Sequence, residues 1–150
     1  VYSKRGANFI KTMIQLANKQ DELKVVNDQI GAPTGAELIA DVTALCLSQI
    51  AQYKNSAHNL SGTYHLTPTG KTSWHGFAQF IIAEALGLGV KFRASFENVQ
   101  AISTSEYPLP AKRPSNSLLD TKKICNTFNV YMPPWQTHVE RLFKELYSQR

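Results

Sequence analysis

The stretch Lys24-Val25-Val26-Asn27-Asp28-Gln29-Ile30-Gly31-Ala32-Pro33-Thr34-Gly35 decides how this chain is read. Lys24 to Asn27 has the look of a short strand. Gly31 to Gly35 breaks regular structure, because proline fixes its own φ and lacks an N–H, and glycine loses more conformational freedom than other residues when held in a helix or strand. Beyond the loop, Leu38, Ile39, Val42, Leu45 and Cys46 recur at the spacing of one inward helical face. Strand, loop and helix in this order set an α/β reading.

On the N-terminal side, Phe9, Met13, Leu16 and Ala17 mark one face of a first helix, which frays into the polar run Asn18 to Glu22. The opening Val1-Tyr2 reads as the tail of a strand, so a piece of a longer protein is expected. On the C-terminal side, Ser56 to Gly62 is a connector and Thr63 to Thr67 has strand composition. Thr72 or Ser73 can cap a third helix carrying Trp74, Phe77, Ala78, Ile81, Ile82 and Ala85, with Gly87 to end it. Glu97 to Thr104 is a candidate strand. Pro108, Pro110 and Pro114 hold an extended stretch, and Asp120 can cap a short helix through Phe128. Pro133-Pro134 opens a last helix with Trp135, Val139, Leu142, Phe143 and Leu146 on its inner face. Many amphipathic helices and few strands leave apolar surface to cover, which suggests a partner sheet. Trp74, Phe77, Phe80 and Phe143 read as core or as that surface.

The 150 residues suffice for one domain and one core, and 43% hydrophobic with 18% charged residues suits a soluble globular protein. No apolar run is long enough to span a bilayer, which speaks against a membrane partner. The net charge is +5, but the pairs Lys4-Arg5, Lys112-Arg113 and Lys122-Lys123 are too dispersed for a nucleic-acid stripe. A mildly basic surface fits a small anion such as a nucleotide diphosphate, or is ordinary surface charge. Cys46 and Cys125 lie among apolar neighbours without a CxxC pattern, so buried thiols in a reducing, cytoplasmic setting are expected.

The motifs of common chemistries are absent. Gly31 and Gly35 are spaced as GxxxG in a proline-containing loop, which is not a dinucleotide fingerprint. His58, His65, His75 and His138 lack metal-ligand spacing, and no GxSxG occurs. A short-chain reductase needs a tyrosine proton donor with a lysine four residues later, and none of the six tyrosines has one. The residues alone give an α/β domain without its own catalytic motif.

Several segments in order resemble the extended short-chain dehydrogenase/reductase superfamily, and within it the dTDP-4-dehydrorhamnose reductases. Val1 to Phe9 is similar to that family's VYxxRGxNF segment, and Val25 to Thr34 to its VxDQxGxPT signature. Gly62-Thr63-Tyr64-His65-Leu66 is similar to its GxYH strand, followed by Thr72 to Ala78. Arg113 to Asp120 resembles its RPxxSxLD run, and Pro134-Trp135 completes the order. The resemblance covers nearly the whole chain.

The resemblance implies the C-terminal, substrate-binding region, residues 1–150, of an NAD(P)-binding Rossmann-like extended fold. The glycine fingerprint, the Tyr-Lys pair and a tryptophan near the sugar would lie upstream of Val1. It implies an oxidoreductase that uses NADPH or NADH to reduce C4 of dTDP-4-dehydro-L-rhamnose, giving dTDP-L-rhamnose for cell-surface polysaccharide. This region would supply grip on the dTDP-sugar, orient the ketone, and be inactive alone. A different outcome within the superfamily is a non-catalytic regulatory subunit similar to the β subunit of methionine adenosyltransferase.

The resemblance also nominates residues. Asn8 and Phe9 occupy positions that contact diphosphate and nucleoside, with a helix cap and a core residue as the alternatives. Gln29, Pro33 and Thr34 lie on the signature loop; Gln29 can bond base or sugar or serve structure, and Thr34 can cap the second helix. Arg113 is the candidate for the pyrophosphate, since a guanidinium pairs two phosphate oxygens at once. Lys4 and Arg5 read as solvated loop charges. Glu37 and Glu140 are the carboxylates that would hold a magnesium ion near a homodimer contact, with plain surface carboxylates as the alternative.

Overall fold

The computed structural model describes residues 1–52, 60–108 and 110–147. The first helix, α1, spans Phe9–Lys19. It starts where it does because Asn8, in extended backbone, accepts the Lys11 N–H at 3.2 Å through Oδ1 while its Nδ2 donates to the Ser3 carbonyl at 2.8 Å. It buries Ile10, Met13 and Ala17, with Phe9 and Leu16 half-buried beside them. Strand β1, Leu23–Val26, follows and pairs in parallel with β4, Val99–Ile102, in the register Leu23 to Val99 through Val26 to Ile102. Strand β2, Ile30–Gly31, pairs antiparallel with β3, Thr72–Ser73. Isolated bridges join Tyr2 to Gly35 and Ile30 to Asn116. Helix α2 spans Ala36–Gln52, α3 Trp74–Gly87, α4 Lys122–Phe128 and α5 Trp135–Tyr147. The fold is α/β, rich in helix and poor in strand among the described residues.

Two cores form. The larger is built by α1, α3, α5, β1 and β4 around Ile10, Ile81, Ile82, Val139, Leu142 and Phe143, which water does not reach. Each such side chain contributes about 1.5–3 kcal/mol of burial free energy. Helix α3 is apolar on most of its circumference, and its interior position explains why. The smaller core sets Leu38 and Val42 of α2 against Ile124, Phe128, Val130 and Met132. The Tyr64 ring packs on Phe128 at 5.2 Å, and Lys123 lies 4.5 Å over its centroid.

Most expected elements are found near their expected places, and the departures have local causes. Thr63 to Thr67 is not a strand: it pairs with no strand among the described residues, and Tyr64 and Leu66 pack on the smaller core instead. The paired residues come later, at Thr72 and Ser73. Leu45 does not face inward; it is 53% exposed, and Leu47 is 60% exposed, because α2 buries only its Leu38 and Val42 stripe. Helix α3 runs through Gly87, and the left-handed residue that follows it is Gly89, at φ +78°. Ser73, not Thr72, caps that helix by accepting the Gly76 N–H at 3.0 Å. Asp120 accepts the Lys122 N–H at 2.8 Å from one residue before the cap position, held by Thr121. The candidate strand at Glu97 to Thr104 narrows to β4, after which Thr104–Glu106 forms a 3₁₀ turn. Ser56 to Asn59 of the expected connector lie outside the described residues. Both cysteines are free and half-buried.

Candidate functional site

The loop that follows β1 builds a cleft. A hollow of about 370 Å³ is lined by Gln29 to Thr34 on one side, by Phe9, Trp74 and Phe77 on another, and by Arg113, Pro114 and Ser117 at its rim. The signature loop is held there by backbone pairing: Ile30 N donates to Ser115 O at 2.8 Å and Ser117 N to Ile30 O at 2.9 Å. Gly31 lies close against this segment: a Cβ on it would stand 2.8 Å from Ser117 Oγ, so that side chain would have to turn away. A second hollow of about 650 Å³ runs along α1 and β1, past Thr12, Met13, Leu16, Lys24 and Val26, to Tyr107, Lys112 and Arg113. Phe9, Gln29, Trp74 and Arg113 line both hollows, so the two meet at those four side chains.

At the junction, Phe9 lies 4.7 Å from the Trp74 ring and 5.4 Å from Phe77, giving the cleft an aromatic wall. Arg113 is exposed at the rim, and its guanidinium has no ion-pair or hydrogen-bond partner among the described residues. A cation and an aromatic wall lining one partly apolar cleft suit an anionic group attached to a flat or apolar one. Gln29 is buried and donates from Nε2 to Thr104 Oγ1 at 3.1 Å. Thr104 in turn donates its backbone N–H to both oxygens of Asp28 at 3.0 Å and its hydroxyl to Asp28 Oδ1. Those donations hold the Asp28 carboxyl below its usual range.

Of the residues nominated from sequence, Phe9, Gln29, Pro33, Thr34 and Arg113 come together in this cleft. Asn8 stands apart from it: its side chain is used at the α1 cap and at Ser3. Thr34 is buried at the cleft; its hydroxyl donates to the Ala32 carbonyl at 3.0 Å, and among the described hydrogen bonds no α2 N–H donates to it, so it does not cap α2. Its carbonyl accepts the Tyr2 N–H at 3.0 Å, which ties the loop to the start of the chain. Glu37 lies in the first turn of α2 and Glu140 on the exposed side of α5. No group of three or more histidine, cysteine, aspartate or glutamate side chains that could hold a metal ion occurs among the described residues, so the two glutamates belong to no such cluster. Lys4 and Arg5 are exposed outside the cleft, as loop charges.

Sequence reasoning missed Trp74, Thr104, Lys112 and Ser117 as cleft residues. Trp74 carries a usable signal, since a large aromatic directly after the helix-capping Ser73 stands at a helix end and not in its buried middle. Thr104 carries none, because its place depends on β4 ending beside β1.

No helix among the described residues is long and apolar enough to cross a membrane. A family model described as the RmlD substrate binding domain matches residues 1–148. A dTDP-4-dehydrorhamnose reductase of Shigella flexneri is 42% identical over 148 residues, which is 99% of this chain and 48% of the relative. A solved dTDP-4-dehydrorhamnose reductase from Bacillus anthracis, in complex with NADP, superposes with a TM-score of 0.70 at 34% identity, over 96% of this chain and 45% of that one. Its counterpart from Clostridium acetobutylicum gives a TM-score of 0.71 at 34% identity, over 94% of this chain and 44% of that one. The chain spans about half the length of the curated relatives it matches. Matched along its length, and with the signature loop forming the cleft wall, the chain belongs to the RmlD substrate-binding domain family.

Proposed function

We propose that this chain is the sugar-nucleotide-binding region of a dTDP-4-dehydrorhamnose reductase, in the C-terminal half of an extended short-chain dehydrogenase/reductase fold. The observation that carries this reading is the meeting of two hollows at Phe9, Gln29, Trp74 and Arg113. A nucleoside diphosphate sugar has an apolar ring, a dianionic middle and a hydroxylated end. The cleft is lined by an aromatic wall, by a guanidinium without a partner among the described residues, and by a buried amide. Arg113 takes the diphosphate by paired hydrogen bonds, and the remaining contacts hold the sugar so that its C4 ketone is presented for reduction. The relatives described above carry the name of the reductase, which favours the catalytic reading over a regulatory subunit.

The overall reaction turns the C4 ketone of dTDP-4-dehydro-L-rhamnose into an alcohol at the expense of NADPH. The residues of this chain do not suit that cofactor: no glycine fingerprint joins a described strand to a helix start, and the loop after β1 carries Pro33 where such a turn needs close backbone approach. In this reading the region supplies the substrate site rather than the cofactor site.

Calorimetric titration of the chain tests the reading. We expect dTDP to bind and NADPH to give no heat. Arg113→Ala should weaken dTDP by at least about tenfold, the worth of a charge-assisted hydrogen bond. A chain that ignores dTDP, or that binds NADPH alone, would overturn the assignment.

A further inference from the structure

The sugar-nucleotide reading leaves open what decides the orientation of Gln29, the only buried amide side chain in the described cleft. A glutamine amide presents a donor at one end and an acceptor at the other, and its neighbours choose which end faces the ligand. Here the choice is forced by Thr104. A threonine hydroxyl has one proton to give and lone pairs to receive with. The Thr104 proton goes to Asp28 Oδ1, since an ionised carboxylate can only accept. What Thr104 Oγ1 has left is an acceptor, and only the NH₂ end of Gln29 can satisfy it, at 3.1 Å. A carbonyl turned towards Thr104 would set lone pairs against lone pairs.

The other end of the amide is then committed as well. Gln29 Oε1 accepts nothing from the described residues, and it is not among their sealed, unpartnered atoms. Gln29 lines both hollows, and its carbonyl, which has no partner among the described residues, is the amide end left for a ligand there. Arg113 lies at the same junction. A diphosphate held on Arg113 would lie in the cleft that Gln29 also lines, with the groups next to the phosphates as the candidates for its amide. On the nucleoside side that group is the deoxyribose 3′-hydroxyl, and on the sugar side it is the C2 hydroxyl; both are O–H donors.

Resting on the sugar-nucleotide reading, we propose that Thr104 is a specificity-setting positioning residue: clamped by Asp28, it fixes the Gln29 carbonyl towards the cleft, which selects a ligand hydroxyl beside the diphosphate. The clamp also ties the 3₁₀ turn to the end of β1, through the two contacts from Thr104 N to Asp28. Ligands that offer only an acceptor at this point meet the Gln29 oxygen and are disfavoured.

The test uses the 150-residue chain with Thr104→Val and Thr104→Ser, and three probes: dTDP-glucose, its 3′-deoxynucleoside form, and its 2-deoxyglucose form. Thr104→Val should weaken dTDP-glucose about tenfold, while Thr104→Ser, which keeps the hydroxyl, stays within about twofold. In the unsubstituted chain one of the two deoxy probes should lose about tenfold, and that probe identifies which hydroxyl is read. In Thr104→Val the same deletion should cost nothing further, because the carbonyl is no longer held in place. Equal losses in both backgrounds, or unchanged binding by Thr104→Val, would overturn the proposal. Failure of the unsubstituted chain to bind dTDP-glucose would instead sink the sugar-nucleotide reading. The clamp is decided in either case by the side-chain NH₂ resonances of Gln29, which should move in Thr104→Val and stay in Thr104→Ser. Resonances indifferent to both substitutions would dispose of it.

Discussion

Tyr2 shows how one side chain couples the loop to the core. Its backbone bonds to Thr34 and Ala36, while its ring is buried 6.0 Å from Phe77. Its hydroxyl is sealed from solvent and has no hydrogen-bond partner among the described residues. Burial first, and the Glu37 carboxylate second, push the phenol well above its ordinary range. The folded state therefore holds the Tyr2 proton more tightly than the unfolded state does. The stability this supports is complete below the ordinary tyrosine value near pH 10 and is lost as pH rises above it, by up to about 1.4 kcal/mol per pH unit. Tyr2→Phe should remove that alkaline loss and raise stability at neutral pH by about 1 kcal/mol, since it deletes an unpaired polar atom. Urea melts of both proteins at pH 7 and pH 10.5 would show it; a substitution that destabilises at pH 7 would mean that the hydroxyl is paired in solution.

At the scale of elements, the start of α1 separates a structural role from a binding one. Asn8 spends its side chain on the Lys11 N–H and the Ser3 carbonyl. Asn8→Ala should cost about 1 kcal/mol in thermal or urea stability and change dTDP affinity less than Arg113→Ala does. A larger effect on affinity than on stability would return Asn8 to the binding site. The same element shows what the sequence made legible. The 3.6-residue spacing located α1, α3 and α5, and Pro133-Pro134 marked where the last begins, because these are local rules of backbone and burial. Periodicity failed where the partner was missing: Leu45 fits the inward stripe of α2, yet nothing among the described residues covers it. Composition failed at Thr63 to Thr67, where strand-forming residues pack a ring on α4 instead of joining an edge. Five cleft residues were legible because a resemblance tied them to one loop, one helix start and one proline-flanked arginine. Thr104 was not, because it reaches Asp28 across 76 positions through the β1–β4 pairing.

At the scale of the molecule, the described strands make only pairs: β1 with β4, and β2 with β3. A parallel pair is ordinarily part of a larger sheet covered on both faces. The hydrophobic residues do not form one mass either. Tyr2, Phe9 and Phe77, beside the cleft, belong with the larger core, whereas α2 and α4 meet around Leu38, Val42, Ile124 and Phe128. Two oily nuclei without a shared centre can open separately, which would give the molecule two thresholds of local unfolding. A ligand in the cleft reinforces only the nucleus it touches. In deuterium uptake, dTDP should slow the amides of α1 and α3 and leave those of α2 and α4 unchanged; uniform slowing would show that the halves breathe as one.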